Sequence, residues 1–124
     1  MAYLHCEETK YTPEVRASEE EAYLSLRGNC FPEDAVVFFE PIMSWIADYF
    51  TTKNRTLAIY FALKYINTST QRRLTELIEI LNMHYNDDHN IRAEWQFLDV
   101  DDIDEQEAVE DFRDDAVFPF TVKG

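Results

Sequence analysis

Asn67-Thr-Ser-Thr-Gln71 sets three hydroxyls between two side-chain amides, and Arg72 follows directly. Hydroxyls at the start of a helix do one of two things. They cap it, accepting hydrogen bonds from the unpaired amides of the first turn. Or they accept a phosphoryl group, whose ~1.5 to 2 negative charges suit the same amides and the positive end of the helix dipole. Thr68 and Gln71 have capping-box spacing, in which the hydroxyl accepts from the third amide and Gln71 reaches back. As a phosphate acceptor, Thr68 has Arg72 four residues on, at a spacing that shares a helical face and allows charge-assisted hydrogen bonds. Spacing leaves Thr68, Ser69 and Thr70 equivalent as acceptors, because all three crowd one helix start.

Other constellations are weaker. His84 and His89 flank Asp87 and Asp88 and could hold a metal ion or serve a small enzyme, but a polar turn of this kind is ordinarily solvated. Asp99, Asp101 and Glu110 match the first, third and twelfth positions of a calcium loop. Ile103 then stands where an oxygen ligand belongs, and Asp104 where the sharp turn needs glycine. The stretch from Asp99 to Asp115 therefore reads as a solvated acidic face or a docking module for a basic partner. His5, His84 and His89 are scattered, and no glycine-rich phosphate loop or nucleophile elbow is present. The expectation is a protein that is not an enzyme and needs no cofactor or metal. Cys6 and Cys30 lie in no Cys-x-x-Cys motif and read as free thiols.

Periodicity supplies the elements that would carry these residues. Residues 21 to 27 are strand-like, and Gly28-Asn29 has turn chemistry. Val36, Phe39, Met43, Ile46 and Phe50 fall at helical spacing over 35–50, where Pro41 either kinks the helix or marks its first turn. Leu57 to Tyr65 is apolar on both alternating sets, which predicts a central strand. Leu74, Leu77, Ile78, Leu81 and Tyr85 predict a second helix beginning at the hydroxyl cluster. Asn86 to Asn90 reads as a turn and 91–97 as a further strand. Val109 and Phe112 give the acidic stretch a weak helical stripe, and 117–122 could add an edge strand that tolerates Pro119. Phe38, Phe39, Trp45, Tyr49, Trp95 and Phe97 are expected in the core. The predicted fold class is α/β: a single domain over 1–124 with a mixed β-sheet flanked by helices, antiparallel where strands follow one another early in the chain.

Size and charge narrow the function classes. A chain of 124 residues suits one core, and 46% apolar with 15% aromatic content is too rich for disorder. The formal charge of -14 repels phosphate backbones and anionic headgroups, so neither nucleic acid nor a membrane is an expected partner. No apolar run approaches the ~20 residues of a spanning helix, and the start lacks a basic and apolar leader. The expected location is cytoplasmic.

Taken together, Tyr11-Thr-Pro-Glu14, Leu26-Arg-Gly28, Phe31-Pro-Glu33, Tyr65-Ile-Asn-Thr-Ser-Thr70 and Phe118-Pro-Phe120 resemble the SiaC family of bacterial regulatory phosphoproteins, over nearly the whole chain. The resemblance implies a fold like the anti-sigma-factor-antagonist (STAS) domains and a partner-switching role in bacterial signal transduction. It implies that a dedicated kinase phosphorylates Thr68, the threonine after Asn67, and that a phosphatase resets it. It further implies that the unphosphorylated form engages a downstream protein, a diguanylate cyclase in one branch, and so promotes cyclic-di-GMP signalling.

Overall fold

A computed structural model describes residues 3–124. Six strands and three helices follow the order β1 (Tyr3–Cys6), β2 (Glu14–Ser18), β3 (Tyr23–Asn29), α1 (Ala35–Tyr49), β4 (Thr56–Lys64), α2 (Thr68–Asn86), β5 (Asn90–Gln96), α3 (Ile103–Asp115) and β6 (Phe120–Lys123). The strands form one sheet in sequence order. β1, β2 and β3 pair antiparallel, and β3 to β6 pair parallel. The mixed α/β sheet is the one expected, including its antiparallel start.

Each parallel step crosses to the next strand on the same side, so crossovers of the usual right-handed sense place α1, α2 and α3 on a single face. Burial agrees. Leu24 and Leu26 on β3, Leu57, Ile59, Phe61 and Leu63 on β4, and Ile91 and Trp95 on β5 are buried toward the helices. They meet Phe39, Ile42 and Ile46 of α1, Leu74, Leu77 and Leu81 of α2, and Val109 and Phe112 of α3. β4 is interior, as its two apolar faces require: Ala58 and Ala62 on its second face are also buried.

Several boundaries differ from expectation. Two short strands precede residue 21. Gly28 does not end β3 but lies within it at φ 126°, where a Cβ would collide with the Glu8 side chain. The backbone conformation selects glycine, whereas the Glu8 carboxylate ends a flexible side chain that can swing aside. Pro41 neither breaks nor starts α1, which runs through it from an Asp34 cap. The acidic stretch folds as α3, and residues 120–123 form the edge strand. Phe38 and Phe97 are half-buried at the margin of the core; Phe39, Trp45, Tyr49 and Trp95 are inside it.

Candidate functional site

The hydroxyl cluster sits at the carboxyl end of β4, where the chain must leave the sheet and start a helix almost at once. Tyr65 makes the bend. It takes φ 56°, a left-handed conformation that costs a non-glycine residue about 1–2 kcal/mol, with its side chain 65% exposed. Two residues later Asn67, extended at φ -91° and ψ 176°, caps α2: its Oδ1 accepts from the Thr70 amide at 2.8 Å and its carbonyl from the Gln71 amide at 2.9 Å.

This overturns the capping-box reading of Thr68 and Gln71. The cap lies one residue earlier, because an Asn side chain can accept from the third amide as a threonine would, and the extended backbone at Asn67 aims it there. Thr68 becomes the first helical residue. Its side chain is exposed, and among the described residues its hydroxyl makes no hydrogen bond. Ser69 is exposed as well. Thr70 is wholly buried and donates from Oγ1 to the Cys30 carbonyl at 3.2 Å. The three hydroxyls are thus distinct: Thr70 is a structural tie, and Thr68 and Ser69 are open to solvent. An Asn67→Ala protein is expected to lose about 1 kcal/mol of stability, measured by chemical denaturation, while still exposing Thr68.

Thr68 and Arg72 do not share a groove. Thr68 lines a groove of about 450 Å³ with Ile66, Gln71 and three carboxylates of α3, Asp104, Glu107 and Asp111. Ser69, Arg72 and Arg73 line another, against Glu33, Asp34 and Val36 at the start of α1. The neighbourhood of Thr68 is therefore acidic on the α3 side, while the exposed Arg72, one turn further along α2, borders the second groove. Arg73 pairs with Glu76 at 3.1 Å.

Aromatic side chains border the same corner. Tyr11 stands edge-on to Phe31, with ring centroids 5.3 Å apart, and Phe31 edge-on to Tyr65 at 6.3 Å. The β1–β2 connection, the segment before α1 and the bend after β4 each supply one ring, and the Phe31 amide donates to the Tyr11 carbonyl at 2.9 Å. Tyr11 and Tyr65 are both more than half exposed, as are Val36 and Val37 in the first turn of α1. Tyr11, Phe31 and Tyr65, far apart in sequence, thus meet at one corner, and Tyr65 lies three residues before Thr68. Exposed rings of this kind, rigid and partly desolvated, are what protein interfaces use as anchors.

The sequence profile of the "SiaC family regulatory phosphoprotein" matches residues 6–124. The chain belongs to the SiaC family. An uncharacterised protein of Pseudomonas aeruginosa strain UCBPP-PA14 is 26% identical over 125 residues, covering 99% of this chain and 97% of that protein. The fold is similar to apo-SiaC of Pseudomonas aeruginosa, with a TM-score of 0.91 at 25% identity and full coverage of both chains. It is also similar to a crystal structure of the diguanylate cyclase SiaD in complex with its activator SiaC from the same organism, with a TM-score of 0.89 at 25% identity over 97% of this chain and 98% of that one. SiaC proteins are regulators, and the SiaC of that complex acts on an enzyme rather than as one.

The histidines and cysteines singled out in the sequence form no second site of this kind. His84, His89, Asp87 and Asp88 do not form a ligand set, although Asp87 lies close enough to His84 to act on its charge. Their rings pack 4.5 Å from Phe50, His89 Nδ1 accepts from the Arg55 amide at 3.0 Å, and the two aspartates are exposed. Burial and the neighbouring His89 lower the pKa of His84. Among the described residues no group of three or more His, Cys, Asp or Glu side chains is placed to hold a metal ion. Cys6 and Cys30 are free, and burial pushes the Cys30 thiol up to about 12, which leaves it inert.

One residue of the acidic stretch is unlike the rest. Glu105 is 4% exposed and accepts from the Trp95 indole at 3.2 Å. Burial raises its pKa to about 7; Asp102 and Asp99 add to the rise, against the Trp95 hydrogen bond and Lys64. It falls on one helical stripe with Ala108, Val109 and Phe112, and that spacing was the signal available in the sequence.

Proposed function

We propose that this chain is a partner-switching regulator whose unphosphorylated form binds and activates a signalling enzyme, a diguanylate cyclase as in the SiaC–SiaD pair. A kinase and a phosphatase acting on Thr68 would set the switch, and the pair and its target would meet in the cytoplasm. No helix of the described residues is long and apolar enough to cross a membrane, which fits that location. One observation carries the reading: Asn67 takes over the cap, so the Thr68 hydroxyl is exposed and, among the described residues, unbonded, three residues after Tyr65 of the aromatic corner.

The chemistry follows from that position. An enzyme approaching Thr68 meets a free hydroxyl, whereas Thr70 would have to be dug out of the core. Once attached, a phosphate adds about two charges and a hydrated volume next to an interface built on aromatic rings, and desolvating it there opposes docking. Phosphorylation therefore releases the partner, with no enzyme activity needed in this chain.

The test is to purify the protein from its native cells with phosphatase inhibitors and localise any phosphate by fragmentation mass spectrometry, with a Thr68→Ala strain alongside. The expected result is phosphate on Thr68, none on Thr70, and a Thr68→Ala protein that stays bound to its partner in every growth state. Phosphate found on Ser69 alone would move the switch to the Arg72 groove and overturn the assignment.

A further inference from the structure

A phosphate on Thr68 would stand among carboxylates, in a groove whose two walls differ in how firmly they are held. On the α2 side, Asn67 caps the helix at 2.8 Å, Thr70 is tied to the Cys30 carbonyl, and Leu74 and Leu77 anchor the next turns in the core. On the α3 side, the fastening is uneven along the helix. Its carboxyl end is clamped by Asn82, which donates to the Asp115 carbonyl at 2.9 Å and accepts from the Val117 amide at 2.9 Å, and Phe112 packs on Trp95 with rings 5.7 Å apart.

Its amino end is held differently. There the inward-facing side chain of the first turn, ahead of the buried Ala108 and Val109, is a carboxylic acid, Glu105, whose one side-chain hydrogen bond among the described residues is the 3.2 Å contact to the Trp95 indole. Ile103, beside it, is 66% exposed and contributes little packing. A buried carboxyl group is a poor anchor, because any loss of its donor leaves it desolvated and unpaired, while swinging out rehydrates it. The carboxylates that face Thr68 begin here, with Asp104 and Glu107, and end with Asp111 one turn before the clamp.

We propose that a phosphate on Thr68 repels the Asp104, Glu107 and Asp111 rim and lifts the first turns of α3 off the sheet, pivoting on the Asn82 clamp and freeing Glu105 from Trp95. This rests on Thr68 as the modified residue and gives the acidic stretch a role, that of converting one added phosphate into a displaced helix. The phosphate stays with α2 because the Thr68 and Ser69 amides at that helix start have no intrahelical acceptor and the helix dipole favours it. Repulsion from three carboxylates is then relieved on the side that gives most readily. The repulsion is between exposed groups and is screened by salt, so the response weakens as ionic strength rises.

The experiment installs phosphothreonine at position 68 during synthesis, so it does not depend on any kinase. The Trp95 indole resonance and amide hydrogen exchange across 103–108 are compared with the unmodified protein. The expected result is a shifted Trp95 indole signal, exchange of residues 103–108 faster by roughly tenfold, and unchanged exchange in 112–116. In an Asp104→Asn, Glu107→Gln, Asp111→Asn protein, the same phosphate should leave Trp95 and α3 exchange as they were. An unmoved Trp95 signal and unchanged exchange in the phosphorylated parent would overturn the proposal, as would a response that persists in the neutralised protein. The two readings fail separately: cellular protein without Thr68 phosphate removes the switch, whereas installed phosphate without α3 movement removes only the device.

Discussion

A Glu105→Gln protein is expected to be more stable than the parent at pH 8 by up to about 3 kcal/mol, and to match it near pH 4. Glu105 is buried on α3 with its Oε1 accepting from the Trp95 indole, and its pKa rises from 4.5 to about 7 in the folded protein. The folded state therefore keeps a proton that the unfolded chain has lost. Below pH 4.5 both states hold it and stability is full. Between pH 4.5 and 7 the unfolded chain ionises first, so stability falls by about 1.4 kcal/mol per pH unit. Above pH 7 both are ionised, and the whole cost of a buried carboxylate is present. The glutamine would keep the acceptor for Trp95 and the side-chain volume but carry no charge at any pH. Asp99, Asp102 and Lys64, the charged groups near Glu105, remain in both proteins, but their interactions with the Glu105 charge are part of its raised pKa and vanish with that charge in the glutamine variant. The measurement is a set of denaturation curves from about pH 4 to 8.5 for both proteins. Parallel curves would show that Glu105 reaches water in the folded state and is not the weak fastening of α3.

That residue also shows where a linear reading stops. Glu105 is one of a run of acids, and only its place on the Ala108, Val109 and Phe112 stripe sets it apart. The longer elements were legible because their apolar residues repeat often enough to fix a period: β4 through two apolar faces, α2 through Leu74, Leu77, Ile78 and Leu81. β1 and β2 were not. Leu4 and Cys6, then Val15 and Ala17, give two inward positions per strand, with Tyr3, His5, Glu14 and Arg16 outward. Two repeats do not separate a strand from a loop; pairing with β3 does. The cap moved by one residue for a related reason. Asn67 and Thr68 are both good capping residues, and the choice is made by the extended backbone at Asn67, which no side-chain pattern reports. The site's neighbours were least legible. Tyr11, Phe31 and Tyr65 meet because β1–β2, α1 and β4 end at the same corner, and the α3 carboxylates face Thr68 because α2 and α3 pack side by side. Those proximities belong to topology, and the motif resemblance marked the segments without saying that they touch.

Tyr65 is the place where stability and binding should part company. A Tyr65→Gly protein is expected to be about as stable as the parent, yet to bind its partner enzyme roughly 30- to 1,000-fold more weakly. The stability side follows from φ 56°, which Gly adopts freely and which costs a tyrosine about 1–2 kcal/mol. Against this stand the edge-on contact with Phe31 at 6.3 Å, of about 0.5–1.5 kcal/mol, and the greater freedom of a glycine in the unfolded chain, of up to about 1 kcal/mol. These terms nearly cancel, and with 65% of the ring in solvent little burial is lost. The binding side follows from the same exposure. A rigid ring held out beside Tyr11 and Phe31, at the edge of the residue proposed to control docking, has the properties of an interface anchor, whose truncation costs about 2–4 kcal/mol. A strained, exposed aromatic that adds little net stability to its own domain points to a role in docking. Calorimetric unfolding and a direct binding assay on the two proteins separate the terms. If Tyr65→Gly bound normally, the Tyr11, Phe31 and Tyr65 surface would be excluded as the docking site, whatever happens at Thr68. If it unfolded at markedly lower temperature, the bend would be a structural requirement of the β4–α2 connection instead.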